Sequence, residues 1–140
     1  MIMALDSTPR RAGRQVTARR RLAALDARPE LHNDGRPSWQ PAGHLWETSA
    51  LLGKVMDACT RPTGELPEVG PDELGAALAL FEELRLQLDQ LESQVIIEAR
   101  RRGMDWRQIA DEQGLNTPQA ASQRYQRLMT RLEEIRQGVR

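Results

Sequence analysis

The chain has 140 residues, 39% of them hydrophobic and 4% aromatic, with a mean hydropathy of −0.61. That is about one ordinary domain. Its longest apolar stretch, about seven residues at 75–81, is far short of a membrane span, and the aromatic content does not suit an aromatic-rich β-barrel. A single cysteine, Cys59, and two histidines, His32 and His44, exclude an intramolecular disulfide framework and a Cys-rich zinc site. There is no Gly-rich phosphate loop, no Ser-His-acid set and no metal-ligand spacing. The expectation is a protein that is not an enzyme and has neither cofactor nor metal, with Cys59 a small apolar core residue.

Twenty basic and twenty acidic residues give a formal net charge of zero. The zero hides three blocks. Residues 1–29 carry seven arginines against two acids, 30–98 four basic groups against thirteen acids, and 99–140 nine arginines against five acids. Basic ends around an acidic middle suit ends that meet a polyanion, although solvated helix faces give the same pattern. Lys54 is the only lysine, so the arginine bias also reflects GC-rich, actinobacterial-style coding and is weak evidence by itself. The N-terminus lacks the apolar stretch of a secretory signal, which leads to the expectation of a soluble cytoplasmic protein.

In chain order, residues 1–43 read as a basic N-terminal arm and a turn-rich linker. The arm carries Arg10, Arg11, Arg14, Arg19, Arg20 and Arg21, with a thin helical pattern over 15–28. Such an arm can track phosphates or enter a minor groove. Residues 44–60 form a short amphipathic helix, with Leu45, Leu52, Val55, Met56 and Cys59 near one stripe and Trp46 and Leu51 at its margins. Residues 61–71 are a second linker.

Residues 72–140 form a long helix followed by a trihelical unit. In the long helix, Leu74, Leu78, Phe81, Leu84, Leu88, Leu91 and Val95 are spaced 4, 3, 3, 4, 3 and 4 apart, a heptad-like seam over its last five positions, part of which is expected to pack against segment 44–59 or a second subunit. Pro71 suits its first position, and Arg100, Arg101 and Arg102 complement its negative end before Gly103. At 1.5 Å per residue it reaches on the order of 45 Å.

The stretch 104–128 carries the densest signal. Asp105 and Gln108 are spaced as a capping box. Trp106, Ile109 and Ala110 form an apolar side, and small Ala110 lets another helix cross closely. Gly114 stops the helix and Leu115 turns back to the core. Thr117 and Pro118 then cap and start a second helix over 118–137, whose Ala121, Tyr125 and Leu128 face inward. A short helix, a glycine turn and a second capped helix make a helix-turn-helix.

These residues resemble the helix-turn-helix of bacterial DNA-binding regulators of the type related to sigma-factor region four. The likeness rests on Gly103-Met104-Asp105-Trp106, Ile109-Ala110, Gly114-Leu115, Thr117 and the run 119–125, and covers about 40 residues. The turn Gly114-Leu115-Asn116-Thr117 is one residue longer than the tightest form. The resemblance implies binding to double-stranded DNA. The residues support it independently. Gln119, Gln123 and Gln126 share the face opposite the core side with Thr130, and Ser122 flanks them. Glutamine amides pair bidentately with adenine in the major groove, so Gln119, Ser122, Gln123 and Gln126 are the expected base readers. The expected phosphate contacts are Arg107, Thr117, Arg124, Arg127, Arg100, Arg101 and Arg102, with Arg124 nearest the core edge.

Beyond Leu128 the seam continues through Leu132, Ile135 and Val139. This extension and the long helix predict a homodimer, with an intramolecular bundle as the alternative. The fold expectation is all-α. The functional expectation is a DNA-binding, nucleoid-associated transcriptional regulator. The rival is a helical protein-interaction or nucleoid-type architectural module, whose acidic segment 65–98 would dock a protein partner.

Overall fold

The computed structural model describes residues 9–25, 36–62, 64–65 and 68–138. Along them run five helices: α1 Pro9–Ala23, α2 Gln40–Cys59, α3 Pro71–Arg101, α4 Trp106–Gln113 and α5 Pro118–Arg136. No strand occurs among the described residues, so the architecture is all-α, as the periodicity implies. α1 lies in a unit of its own, 1–36, and α2 to α5 make up a second unit, 37–140.

α1 starts at Pro9, inside the stretch read as an arm. Proline fits there because the first helical turn has no use for its missing N–H. The helix contains six arginines and no acid. Side chains 12–25 are all exposed.

α2 begins at Gln40, earlier than expected, for the same reason: Pro41 sits in its first turn. It packs on α3. Ala58, Cys59 and Leu74 line one cavity where the two helices are joined, so the pair runs antiparallel. Leu45, Leu52 and Val55 are half-buried, whereas Trp46, Leu51, Met56 and Cys59 are exposed. Cys59 is therefore not a core residue. With a single helix as neighbour, α2 has only a narrow face to cover.

α3 opens with Pro71 and with Glu73 Oε2 accepting from the Gly70 N–H at 2.9 Å. Asp72 and Glu73 also favour the positive N-terminus. The seam expected along α3 is only partly internal. Leu84 and Leu91 are half-buried, but Leu74, Leu78, Phe81, Leu88 and Val95 are exposed, and the buried positions are Gln87, Ser93 and Ile96. The physical reason is that α3 serves two partners on different sides. Asp89, Glu92 and Ile96 turn toward α5 and the C-terminal core, leaving Leu80, Leu84, Gln87 and Leu91 on the side available to α2.

The core itself is small and C-terminal. Ile96, Ile109, Ala110, Ala121 and Leu128 are buried together, with Ala99, Met104, Trp106, Leu115 and Tyr125 packed around them. Of the C-terminal seam, Leu132 is half-buried and Ile135 exposed; Val139 lies outside the described residues.

Candidate nucleic-acid interface

Two turns of the same construction frame α4. At the end of α3, Gly103 has φ 92° and the Met104 N–H donates to the Ala99 carbonyl at 3.0 Å. At the end of α4, Gly114 has φ 73° and the Leu115 N–H donates to the Ala110 carbonyl at 2.8 Å. Both are Schellman stops, in which a left-handed glycine satisfies otherwise orphaned carbonyls and returns an apolar residue to the core. Each is followed by a side-chain cap. Asp105 Oδ1 accepts from the Gln108 N–H, and Gln108 Oε1 accepts from the Asp105 N–H, both at 2.8 Å. Thr117 Oγ1 accepts from the Ala120 N–H at 3.1 Å. The second turn has the extra residue, Asn116, that the sequence shows.

Packing fixes how α5 is presented. Ala110 and Ala121 are 1% and 0% exposed and allow α4 and α5 to cross closely. The Trp106 and Tyr125 rings meet with centroids 5.7 Å apart at 42°. The Arg100 guanidinium lies 5.1 Å above the Trp106 ring and donates to the Met104 carbonyl at 3.0 Å. The end of α3, the start of α4 and the middle of α5 are thus joined by one cation–aromatic–aromatic stack.

With Ala121 and Leu128 inward, α5 turns Gln119, Gln123, Gln126 and Thr130 to solvent, and Ser122 is half-buried beside them. Gln123, Gln126, Arg127 and Thr130 line an open groove along this face, continued by Arg131 and Glu134. The face is amide-rich and carries no ion pair at its N-terminal half among the described residues.

The arginines divide into two groups. Arg107 and Arg127 are exposed and form no ion pair among the described residues. Arg124 instead turns to α3, where its Nε and Nη2 donate to Glu92 Oε2 and Oε1 at 3.0 and 2.8 Å. The hydrogen bond to Glu92 raises the Arg124 pKa above its ordinary value, with the neighbouring charges of Glu92 and Asp89 adding to it and partial burial opposing it. Seven residues on, Arg131 pairs with Asp89 at 3.1 Å. Arg101 and Arg102 both reach Glu98, at 2.7 and 3.6 Å. The sequence-expected cations therefore do not form one array. Arg107 and Arg127 are open, Arg100 to Arg102 are engaged at the end of α3, and Arg124 is locked onto its neighbour.

On α1, Arg14, Arg19, Arg20 and Arg21 are exposed. Arg10 and Arg11 belong to the helix, but their side chains lie outside the described residues. Sequence reasoning missed Asp89 and Glu92. Their partners lie on another helix, 32 residues further on for Glu92, and no local pattern signals such a contact. No group of His, Cys, Asp or Glu able to hold a metal occurs among the described residues, and no helix there is long and apolar enough to cross a membrane.

Residues 95–134 match the model of a family described as Myb-like DNA-binding domain. The match runs from the last turns of α3 through α4 and almost to the end of α5, which is the three-helix unit described above. No curated protein and no solved structure matches the chain. Fold and match together define a DNA-binding protein of the helix-turn-helix type. What this match has in common with the sigma-factor resemblance is the helix-turn-helix itself.

Proposed function

We propose that the chain is a bacterial transcriptional regulator that acts on the nucleoid as a homodimer and sets the N-terminal half of α5 in the major groove of duplex DNA. The observation that carries this reading is the open amide face of α5, held outward by the burial of Ala121 and Leu128 behind it. Gln119, Ser122, Gln123 and Gln126 read base edges. Arg107 and Arg127 hold phosphates, with Thr117 at the start of α5 and the Arg100 to Arg102 cluster at the rim. Arg124 positions α5 instead of touching the backbone. The arginines of α1 add sequence-independent attraction.

Selection from a random duplex pool, followed by binding of the selected site, tests this. Gln119→Ala with Gln123→Ala is expected to lose about 1–3 kcal/mol of discrimination for each bidentate pair while keeping non-specific affinity. Arg127→Ala weakens all sequences alike. Unchanged sequence preference in the glutamine double variant removes α5 from base reading. Absence of duplex binding even at low salt removes the function.

A further inference from the structure

The buried apolar core belongs entirely to the helix-turn-helix unit and the end of α3 that feeds it. The rest of the α2–α3 hairpin buries only Gly43, Thr48, Gln87 and Ser93. Two antiparallel helices cover one strip of each other and no more.

The same hairpin exposes Trp39, Trp46, Leu51 and Met56 on and beside α2, and Leu74, Leu78, Phe81, Leu88 and Val95 on α3. Four of these, Leu74, Phe81, Leu88 and Val95, recur every seven residues. Repetition at seven is the period of a single coiled-coil position, and it draws a stripe along the helix about 30 Å long. From their fractional exposure the five α3 side chains leave on the order of 500 Å² open along one side of the helix. That stands at the upper end of the roughly 300–600 Å² of the largest apolar patch on a typical monomer, and residues of α2 beside the stripe bring it toward the roughly 800 Å² that each partner of a stable dimer buries.

We infer that a second copy of the chain covers this surface, with two α2–α3 hairpins closing a four-helix bundle. Charge sets the direction. α3 begins with Asp72 and Glu73, continues with Glu82 and Glu83, and ends with Arg100, Arg101 and Arg102. Antiparallel pairing brings the acidic start of one α3 toward the basic end of the other. It also sets Leu74 against the second copy's Val95 and Phe81 against its Leu88, a register that the seven-residue spacing makes symmetric. This deepens the homodimer reading above and is independent of DNA binding.

Light scattering on the full chain at micromolar concentration is expected to give twice the 15.8 kDa chain mass. Leu88→Glu places a carboxylate in the buried stripe and is expected to weaken association a hundredfold or more, whereas Met129→Glu, on an exposed apolar residue of α5, leaves it unchanged. Should Leu88→Glu fail to fold, Leu74→Cys with Val95→Cys in a Cys59→Ser background provides the second readout. A short thiol cross-linker should then yield covalent dimers, and Leu74→Cys alone should yield few. A monomeric parent, an undiminished dimer in folded Leu88→Glu, or equal cross-linking of the single and double cysteine variants overturns the proposal. A dimer that binds no duplex leaves this inference standing and ends the DNA reading instead.

Discussion

Arg124 on α5 and Glu92 on α3 form a two-pronged contact, with both nitrogen–oxygen distances at or below 3.0 Å. Arg131 and Asp89 repeat the contact one heptad along α5. Together they set the rotation of α5 against α3. They also engage two of the cations of α5 with carboxylates of α3. The side chains are 47% and 27% exposed, so breaking one pair costs little stability, about 0.2–1 kcal/mol. The reversed pair, Arg124→Glu with Glu92→Arg, separates the two roles. If Arg124 positions α5, the reversed pair restores DNA affinity lost in Arg124→Glu and leaves the salt slope as in the parent. If Arg124 touches a phosphate, the reversed pair keeps the loss and the log–log slope falls by about 0.9.

Gly114 tests the turn. Its φ of 73° is disfavoured for any residue with a Cβ, yet a Cβ there would meet nothing within 4 Å. The cost of Gly114→Ala is therefore backbone strain alone, about 1–2 kcal/mol, visible as a lowered thermal midpoint. Gly114→Asn should recover part of it, since asparagine tolerates the left-handed region better. A midpoint equal to the parent's in Gly114→Ala would show that the turn relaxes.

Gln87 tests the hairpin. It is 5% exposed, donates from Nε2 to Glu83 at 3.1 Å, and its Oε1 has no partner among the described residues. A buried acceptor left without a donor costs about 1–3 kcal/mol. Gln87→Leu removes it and should raise the unfolding midpoint in urea or heat. A lowered midpoint would mean that this oxygen is satisfied in solution.

The helix α1 gives a prediction in salt. Replacing Arg14, Arg19, Arg20 and Arg21 by Gln takes away four exposed charges. If all four meet phosphates, the log–log salt slope of duplex binding falls by about 3.6, while the preference among sequences, which the proposed function assigns to α5, is retained. An unchanged slope would take α1 out of the interface.

The parts of this fold that sequence made legible are those fixed by near neighbours. The Asp105–Gln108 box, the Gly103 and Gly114 stops, the Thr117 cap and the small Ala110 and Ala121 all act within one or two turns, and each can be recognised from residue type and spacing. The family match over 95–134 falls on the same stretch. The seam of α3 gives the length and the need for more than one neighbour, but not which residues face which. The helix has two, on different sides, and its most regular stripe faces neither. Cys59 looked internal because it shares the α2 stripe, but a lone neighbour does not reach it. The Arg124 and Arg131 contacts could not be read at all, since an ion pair between helices depends on how they cross.

The two left-handed glycines carry a consequence for divergence. They end α3 and α4 through backbone handedness and not through the chemistry of what surrounds them. The angle between the short helix and the one that follows is thus insulated from substitutions on the outer side of α5. If the proposed base reading holds, relatives that keep Gly103, Gly114 and the paired alanines are free to exchange Gln119, Gln123 and Gln126 for other side chains, and so to acquire new targets without rebuilding the scaffold.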